Sequence, residues 1–237
     1  MTSPALETLD GLFDLLFPPK CIVCGEINPH YLCASCIPEI APVPRPYCHR
    51  CGHPVHGPRC RNCWGRIRSF TAARAAGDYS EVLRQSIHAF KYGGMRQLAD
   101  PLAHLLYRYL TTQADIPWRR ADLIAPVPIH PTRQRVRGYN QSELLAERLS
   151  GMTGLPLLTG GVVRNRRTRP QVELSGDQRR DNVKSAFSVP DPASVKGKNI
   201  LLVDDVATTC STIHECSLSL VTAGALNVYV ICVAFGA

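Results

Sequence analysis

Apolar residues fall along this chain in two rhythms, and the alternation between them lays out a fold. Ile200 to Val203 are four consecutive apolar residues, the pattern of a central strand in a parallel sheet that is covered on both faces. Asp122 to Val127 and Val228 to Val233 repeat it, Phe70 to Ala76 is a strand of small residues, and Ala186 to Val189 is a further short one. Between these runs the spacing turns helical. Leu83, Ile87 and Phe90 follow Ser80 as N-cap and stop at Gly93-Gly94. Leu102, Leu105, Leu106 and Tyr109 follow Asp100-Pro101. Leu144, Leu145 and Leu149 end at Gly151, and Ile213, Leu218 and Val221 end at Gly224. Strands alternating with helices predict an α/β fold, a parallel sheet flanked by helices.

Three stretches stand outside that alternation. Leu6, Leu9, Leu12, Phe13, Leu16 and Phe17 recur at helical spacing until Pro18-Pro19, which predicts a short amphipathic helix packed on its own protein or docked on a partner. Residues 21–63 are rich in cysteine, and Trp64 to Arg68 reads as the boundary after them. The expected organisation is therefore residues 1–68 as an N-terminal helix with a Cys-rich domain, then 69–237 as the α/β domain. Residues 162–182 have turn chemistry and no helical period, the signature of an exposed hairpin or flap.

The cysteines form an exact repeat. Cys21, Cys24, Cys33 and Cys36 are matched at an offset of 27 by Cys48, Cys51, Cys60 and Cys63, and Gly25 and Gly52 follow the second cysteine of each copy. Each C-x-x-C aims two thiolates at one centre, and two such knuckles supply the four that tetrahedral zinc takes. Eight thiols in two equal sets predict about two structural zinc ions. Sites within each copy and sites cross-paired between copies are both open, and disulfide or redox pairs are the competing chemistry. His49, His53 and His56 are expected as solvated loop histidines. A segment this thin folds on its metal.

The chain is 237 residues long, 45% hydrophobic and 19% charged, which is globular composition. Its net charge of +8 comes mostly from Arg clustered at 133–137, 164–169 and 179–180, and it suits phosphorylated ligands or nucleic acid. Glu7, Asp10 and Asp14 in the first apolar stretch argue against a secretory signal. No apolar run is long enough for a membrane span.

The candidate chemistry follows the central strand. Asp204 and Asp205 end it, and Ala207, Thr208, Thr209, Cys210, Ser211 and Thr212 lead into a helix. Backbone N–H groups at a helix start, with hydroxyls beside them, bind an anion. Two carboxylates beside that anion make sense against sugar hydroxyls or a phosphate-bound divalent metal. A 5-phosphorylated ribose meets both demands. Lys91, just before Gly93-Gly94, is a candidate pocket residue. The order strand, Pro-bearing loop, Arg cluster (Arg133, Arg135, Arg137) and helix suits a diphosphate-binding loop.

The stretch 199–212 resembles the 5-phosphoribosyl-1-pyrophosphate (PRPP) motif of type I phosphoribosyltransferases. With the eight cysteines, Lys91-Tyr92, Pro126-Val127-Pro128, Arg135-x-Arg137-Gly138-Tyr139-Asn140-Gln141, Arg167-Thr168 with Gln171, and Arg179-x-x-Asn182, the chain resembles the ComF family (ComFC/GntX type) over 21–235. That resemblance implies a type I phosphoribosyltransferase-like domain behind an N-terminal zinc finger. It implies that Asp204 and Asp205 hold the ribose hydroxyls, 207–212 the 5′-phosphate, and Val127, Pro128, Ile129 and His130 the pyrophosphate. It also implies magnesium with PRPP, Arg137 or Arg169 at the leaving diphosphate, and 164–182 as a loop that closes over substrate. The implied role is in competence: handling incoming single-stranded DNA in the cytoplasm beside a helicase-type partner. The competing reading is a non-catalytic, zinc-containing scaffold that binds single-stranded DNA, with Arg164, Arg166 and Arg167 as contacts, or that serves as an interaction module of the uptake machinery. Cys210 stands where the PRPP motif of the type I phosphoribosyltransferases usually has Gly, and its place at a helix start predicts a reactive thiol.

Overall fold

The computed structural model describes residues 18–65, 68–166 and 185–236. The expected helix over Leu6 to Phe17, and Arg167, Thr168, Arg169, Gln171, Arg179 and Asn182, lie outside the described residues. The elements run β1 (Ala72–Asp78), α1 (Glu81–Tyr92), α2 (Ala99–Thr112), β2 (Leu123–Pro126), α3 (Pro131–Arg137), α4 (Gln141–Thr153), β3 (Val163–Arg164), β4 (Phe187–Ser188), β5 (Asn199–Ala207), α5 (Ser211–Thr222) and β6 (Asn227–Phe235). Strands β1, β6, β5 and β2 lie side by side in that order, all parallel. β3 and β4 form a separate antiparallel pair. Among the described residues no helix is long and apolar enough to cross a membrane.

The central strands are apolar throughout because both faces are covered. Leu201 and Val203 of β5, with Tyr229, Ile231 and Val233 of β6, enter a core built with α1, α2 and α4. Their neighbours Ile200, Leu202, Val228, Val230 and Cys232 point the other way, into Ile213, Cys216 and Leu220 of α5. Leu145 on α4 is fully buried, and a Leu→Ala change at such a site costs about 2–5 kcal/mol.

Three expectations shift. β1 begins at Ala72 and runs to Asp78, two residues later than its apolar run suggested. Its partner β6 continues to Phe235, and pairing extends through Asp78↔Phe235. β5 runs past both acids to Ala207 for the same reason, since β6 pairs with it to the end. The Arg cluster is a helix rather than a loop. Pro131 occupies its first turn, His130 Nδ1 accepts from the Thr132 N–H, and Gly138 closes it at φ +81°. A proline and three arginines read as loop, but Pro at the first helical position is favourable because that N–H has no helical partner anyway.

Candidate functional site

The carboxyl ends of β2 and β5, the start of α5, the end of α1 and one face of α3 surround one cavity of about 620 Å³. Ligands of open parallel sheets bind at this end. Asp204 and Asp205 form its floor. Both are buried, with Asp204 9% and Asp205 7% exposed. The Ser142 hydroxyl and the Asp205 N–H both donate to Asp204 Oδ1, each at 2.9 Å. Lys91 Nζ lies 2.9 Å from Asp205 Oδ1. Burial, and the Asp205 carboxylate beside it, push Asp204 up to about 7. Burial alone would lower Lys91, but the charges of Asp205 and Asp204 outweigh it and hold the ammonium above its ordinary value.

Arg164 approaches from β3, its guanidinium 5.2 Å from the centre of the Phe187 ring on β4. It is buried and lines the cavity, and burial lowers it to about 10, still cationic at neutral pH. The expected solvated flap arginine is thus a wall of the site; Arg166, two residues on, is exposed. Arg137 is fixed by donating to Gln141 Oε1 at 2.6 Å, and its guanidinium lies 5.2 Å from the centre of the Tyr92 ring. Tyr92 and Val136 are apolar residues exposed at the cavity mouth, 63% and 87%.

Pro128 and Ile129 line the cavity with Val127, whose carbonyl accepts from Asn140 Nδ2. His130 instead caps α3. Thr212 lines the cavity as well. Residues 207–211 are not part of its lining: Ala207 and Ser211 are buried, and the Thr209 and Ser211 hydroxyls bond each other at 2.8 Å. Cys210 adopts φ +56°, the left-handed region that glycine fills freely. Its thiol is 2% exposed, and burial pushes it up to about 12. The expected reactive thiol is therefore a buried, protonated one; desolvation outweighs the helix start. Ser142 was not visible as a site residue in the sequence, since it sits inside a helical run 62 positions from its carboxylate partner.

The cysteines gather within each copy, not across copies: Cys21, Cys24, Cys33 and Cys36 in one set, Cys48, Cys51, Cys60 and Cys63 in the other, with all sulfurs of a set within 4.8 Å of one another. Zinc–sulfur bonds of about 2.3 Å in a regular tetrahedron place sulfurs about 3.8 Å apart. Cys21 and Cys36 are 3.8 Å apart, Cys24 and Cys33 3.6 Å, and Cys51 and Cys60 3.5 Å. The donor sets fit zinc with no open position. Gly25 and Gly52 take positive φ and donate back to Cys21 and Cys48, and the bridges Lys20↔Ile27 and Tyr47↔Pro54 keep the same offset. His53 is not a solvated histidine: its ring packs 4.6 Å from that of Phe235.

Fold and centres together define a parallel α/β domain joined to two four-cysteine knuckles that fit zinc. Residues 12–64 match the double zinc ribbon domain. The chain is 35% identical over 209 residues to competence protein F of Haemophilus influenzae, covering 84% of this chain and 89% of that one. It is 34% identical over 193 residues to the DNA utilization protein YhgH of Escherichia coli K12, covering 78% and 82%. It belongs to the competence protein F family. Part of the chain is similar to a glutamine PRPP amidotransferase from B. subtilis, with 23% identity, a TM-score of 0.38, and coverage of 57% of this chain and 26% of that one.

Proposed function

We propose that this chain binds PRPP with Mg²⁺ in the cavity at the end of β5. The observation that carries the reading is one juxtaposition. Two adjacent buried carboxylates, Thr212 at the start of α5, and the cations Lys91, Arg137 and Arg164 all line a single space. Asp204 and Asp205 hold the ribose hydroxyls, and the backbone of 207–212 holds the 5′-phosphate. Val127 to Ile129 form the wall against which the diphosphate lies. Mg²⁺ neutralises that diphosphate when bound. Arg137 and Arg164 then stabilise the charge that develops as it leaves C1′. Tyr92 and Val136 offer an apolar, π-faced ledge at the mouth, suited to a planar acceptor. Phosphoribosyl transfer to such an acceptor is the reaction this arrangement supports.

A second surface favours nucleic acid. Trp64 is 64% exposed, and the Arg59 guanidinium lies 4.7 Å from the centre of its ring. Arg59, Arg61 and Trp64 line a groove of about 750 Å³ on the second knuckle. An exposed aromatic among arginines suits a single strand, whose bases stack while its phosphates pair. The relatives' names, competence protein and DNA utilization protein, support a role in handling incoming single-stranded DNA. A cytoplasmic setting and a helicase-type partner follow from the family resemblance and belong to the same proposal. Titration with PRPP–Mg²⁺, repeated with saturating single-stranded DNA, separates the surfaces. Unchanged PRPP affinity puts the strand on the Trp64 groove. Mutual displacement puts it in the cavity and favours the scaffold reading.

A further inference from the structure

The second knuckle does not sit apart from the α/β domain. Cys51 is fully buried in the same core cluster as Cys210, Ile213 and Phe235. The Ala73 N–H donates to the Arg50 carbonyl at 2.7 Å, and Arg74 Nη1 donates to that of His49 at 2.9 Å. Gly52 passes so close that a Cβ would lie 2.5 Å from the Ala73 carbonyl and 2.6 Å from the Phe235 ring. No side chain fits there, so the knuckle is seated against the sheet by its backbone.

From that seat it reaches the loop before α5. Asn62, between Cys60 and Cys63, directs Nδ2 at Cys210 Sγ, 3.6 Å away. Arg68 Nη2 donates to the Asn62 carbonyl, to Asn62 Oδ1 at 2.9 Å and to the Thr209 carbonyl at 3.1 Å. His53 Nδ1 lies 3.9 Å from the same sulfur. The Ser69 N–H donates to His214 Nδ1 in the first turn of α5, at 3.1 Å. The contacts converge on Thr209 and Cys210, where a non-glycine residue holds φ +56°. Such a conformation persists only where its surroundings over-determine it. The first knuckle lies elsewhere: its buried residues pack on Val82 of α1.

We propose that the second four-cysteine knuckle is a clamp on the phosphate-binding loop, with Asn62 and Arg68 as positioning residues that act through Thr209 and Cys210. Metal in that knuckle fixes Asn62 between two ligands, and Asn62 in turn fixes Thr209 and Cys210, the loop that leads into Thr212 at the cavity wall. Zinc in the second site is thereby coupled to anion binding, and zinc in the first is not. This inference rests on the phosphoribosyl reading of the cavity, so its test has an arm that does not use PRPP.

The full chain is compared with Asn62→Ala, Arg68→Ala, their combination and the control His56→Ala. Zinc content, the rate at which iodoacetamide labels Cys210 under native conditions, and PRPP–Mg²⁺ affinity are measured. Asn62→Asp keeps the side chain's size and its acceptors for Arg68 but loses the donor to sulfur. It replaces the alanine variants if they do not melt cooperatively. The clamp predicts two zinc ions retained in the Asn62 and Arg68 variants, Cys210 labelling at least about tenfold faster, and PRPP about tenfold weaker, with His56→Ala unchanged. Cys48→Ser with Cys63→Ser should likewise expose Cys210, and Cys21→Ser with Cys24→Ser should leave it protected. Wild-type labelling rates in the Asn62 and Arg68 variants would overturn the clamp, as would equal exposure of Cys210 from both zinc-site variants. Failure of the wild-type chain to bind PRPP would overturn only the phosphoribosyl reading, and the thiol rates would still decide the clamp.

Discussion

Asp204→Asn should make the free protein more stable and its ligand binding weaker. Asp204 titrates at about 7 in the folded chain and near 4 in the unfolded one. Between those values folding takes up a proton, so the stability due to this group falls as pH rises, and above 7 the whole penalty is present. Three units correspond to about 4 kcal/mol. The attraction of the Lys91 ammonium is already contained in that net shift. A gain of up to about 4 kcal/mol is therefore expected at pH 8. Asn keeps an oxygen for the Ser142 hydroxyl and the Asp205 N–H, which both donate to Oδ1. For a chain of this size the gain raises Tm by up to about 8–16 °C. Calorimetric melts of wild type and variant at pH 5, 6, 7 and 8 check it. The difference should be about 1 kcal/mol at pH 5, grow through pH 7 and level off above it. A variant less stable than wild type at pH 8, or a gain that does not change with pH, would refute the burial argument.

Further outcomes follow from the same geometry. Metal analysis of protein purified without chelator should give about two zinc ions per chain, because each set of four thiols closes one site. Cys210→Gly should be close to neutral in thermal stability: relief of a left-handed residue gains about 1–2 kcal/mol, and losing the buried sulfur costs a similar amount; a Tm drop above about 8 °C would contradict this. Arg59→Ala with Trp64→Ala should weaken single-stranded DNA by about fivefold or more through lost stacking and flatten the salt slope by about 0.7 per lost phosphate contact, as measured by fluorescence anisotropy across salt concentrations. Arg137→Ala should weaken PRPP by about tenfold, the worth of one charge-assisted contact, and leave zinc content unchanged in calorimetry and metal analysis.

Much of this was legible before any coordinates. Apolar runs such as Ile200 to Val203 marked the sheet because a doubly covered strand has no polar face to show. The cysteine repeat announced its metal because thiolate spacing is local. What stayed hidden was long-range. Nothing in a run of alternating polarity says that Ser142 meets Asp204, or that Asn62 reaches Cys210 across 148 positions. Arg164 looked like a solvated charge because the Phe187 ring it packs against lies on a strand 23 residues later. Cys210 looked reactive because its place at a helix start is visible in sequence, while the knuckle that covers it is not.

The central claim is that the acids and the helix start hold a phosphoribosyl ligand. Isothermal titration with PRPP–Mg²⁺ of wild type and of Asp204→Asn with Asp205→Asn tests it most directly. One saturable site per chain in wild type, weakened about tenfold or more in the double variant with two zinc ions still bound, is the result expected. No binding by wild type, or equal affinity in both proteins, would contradict it.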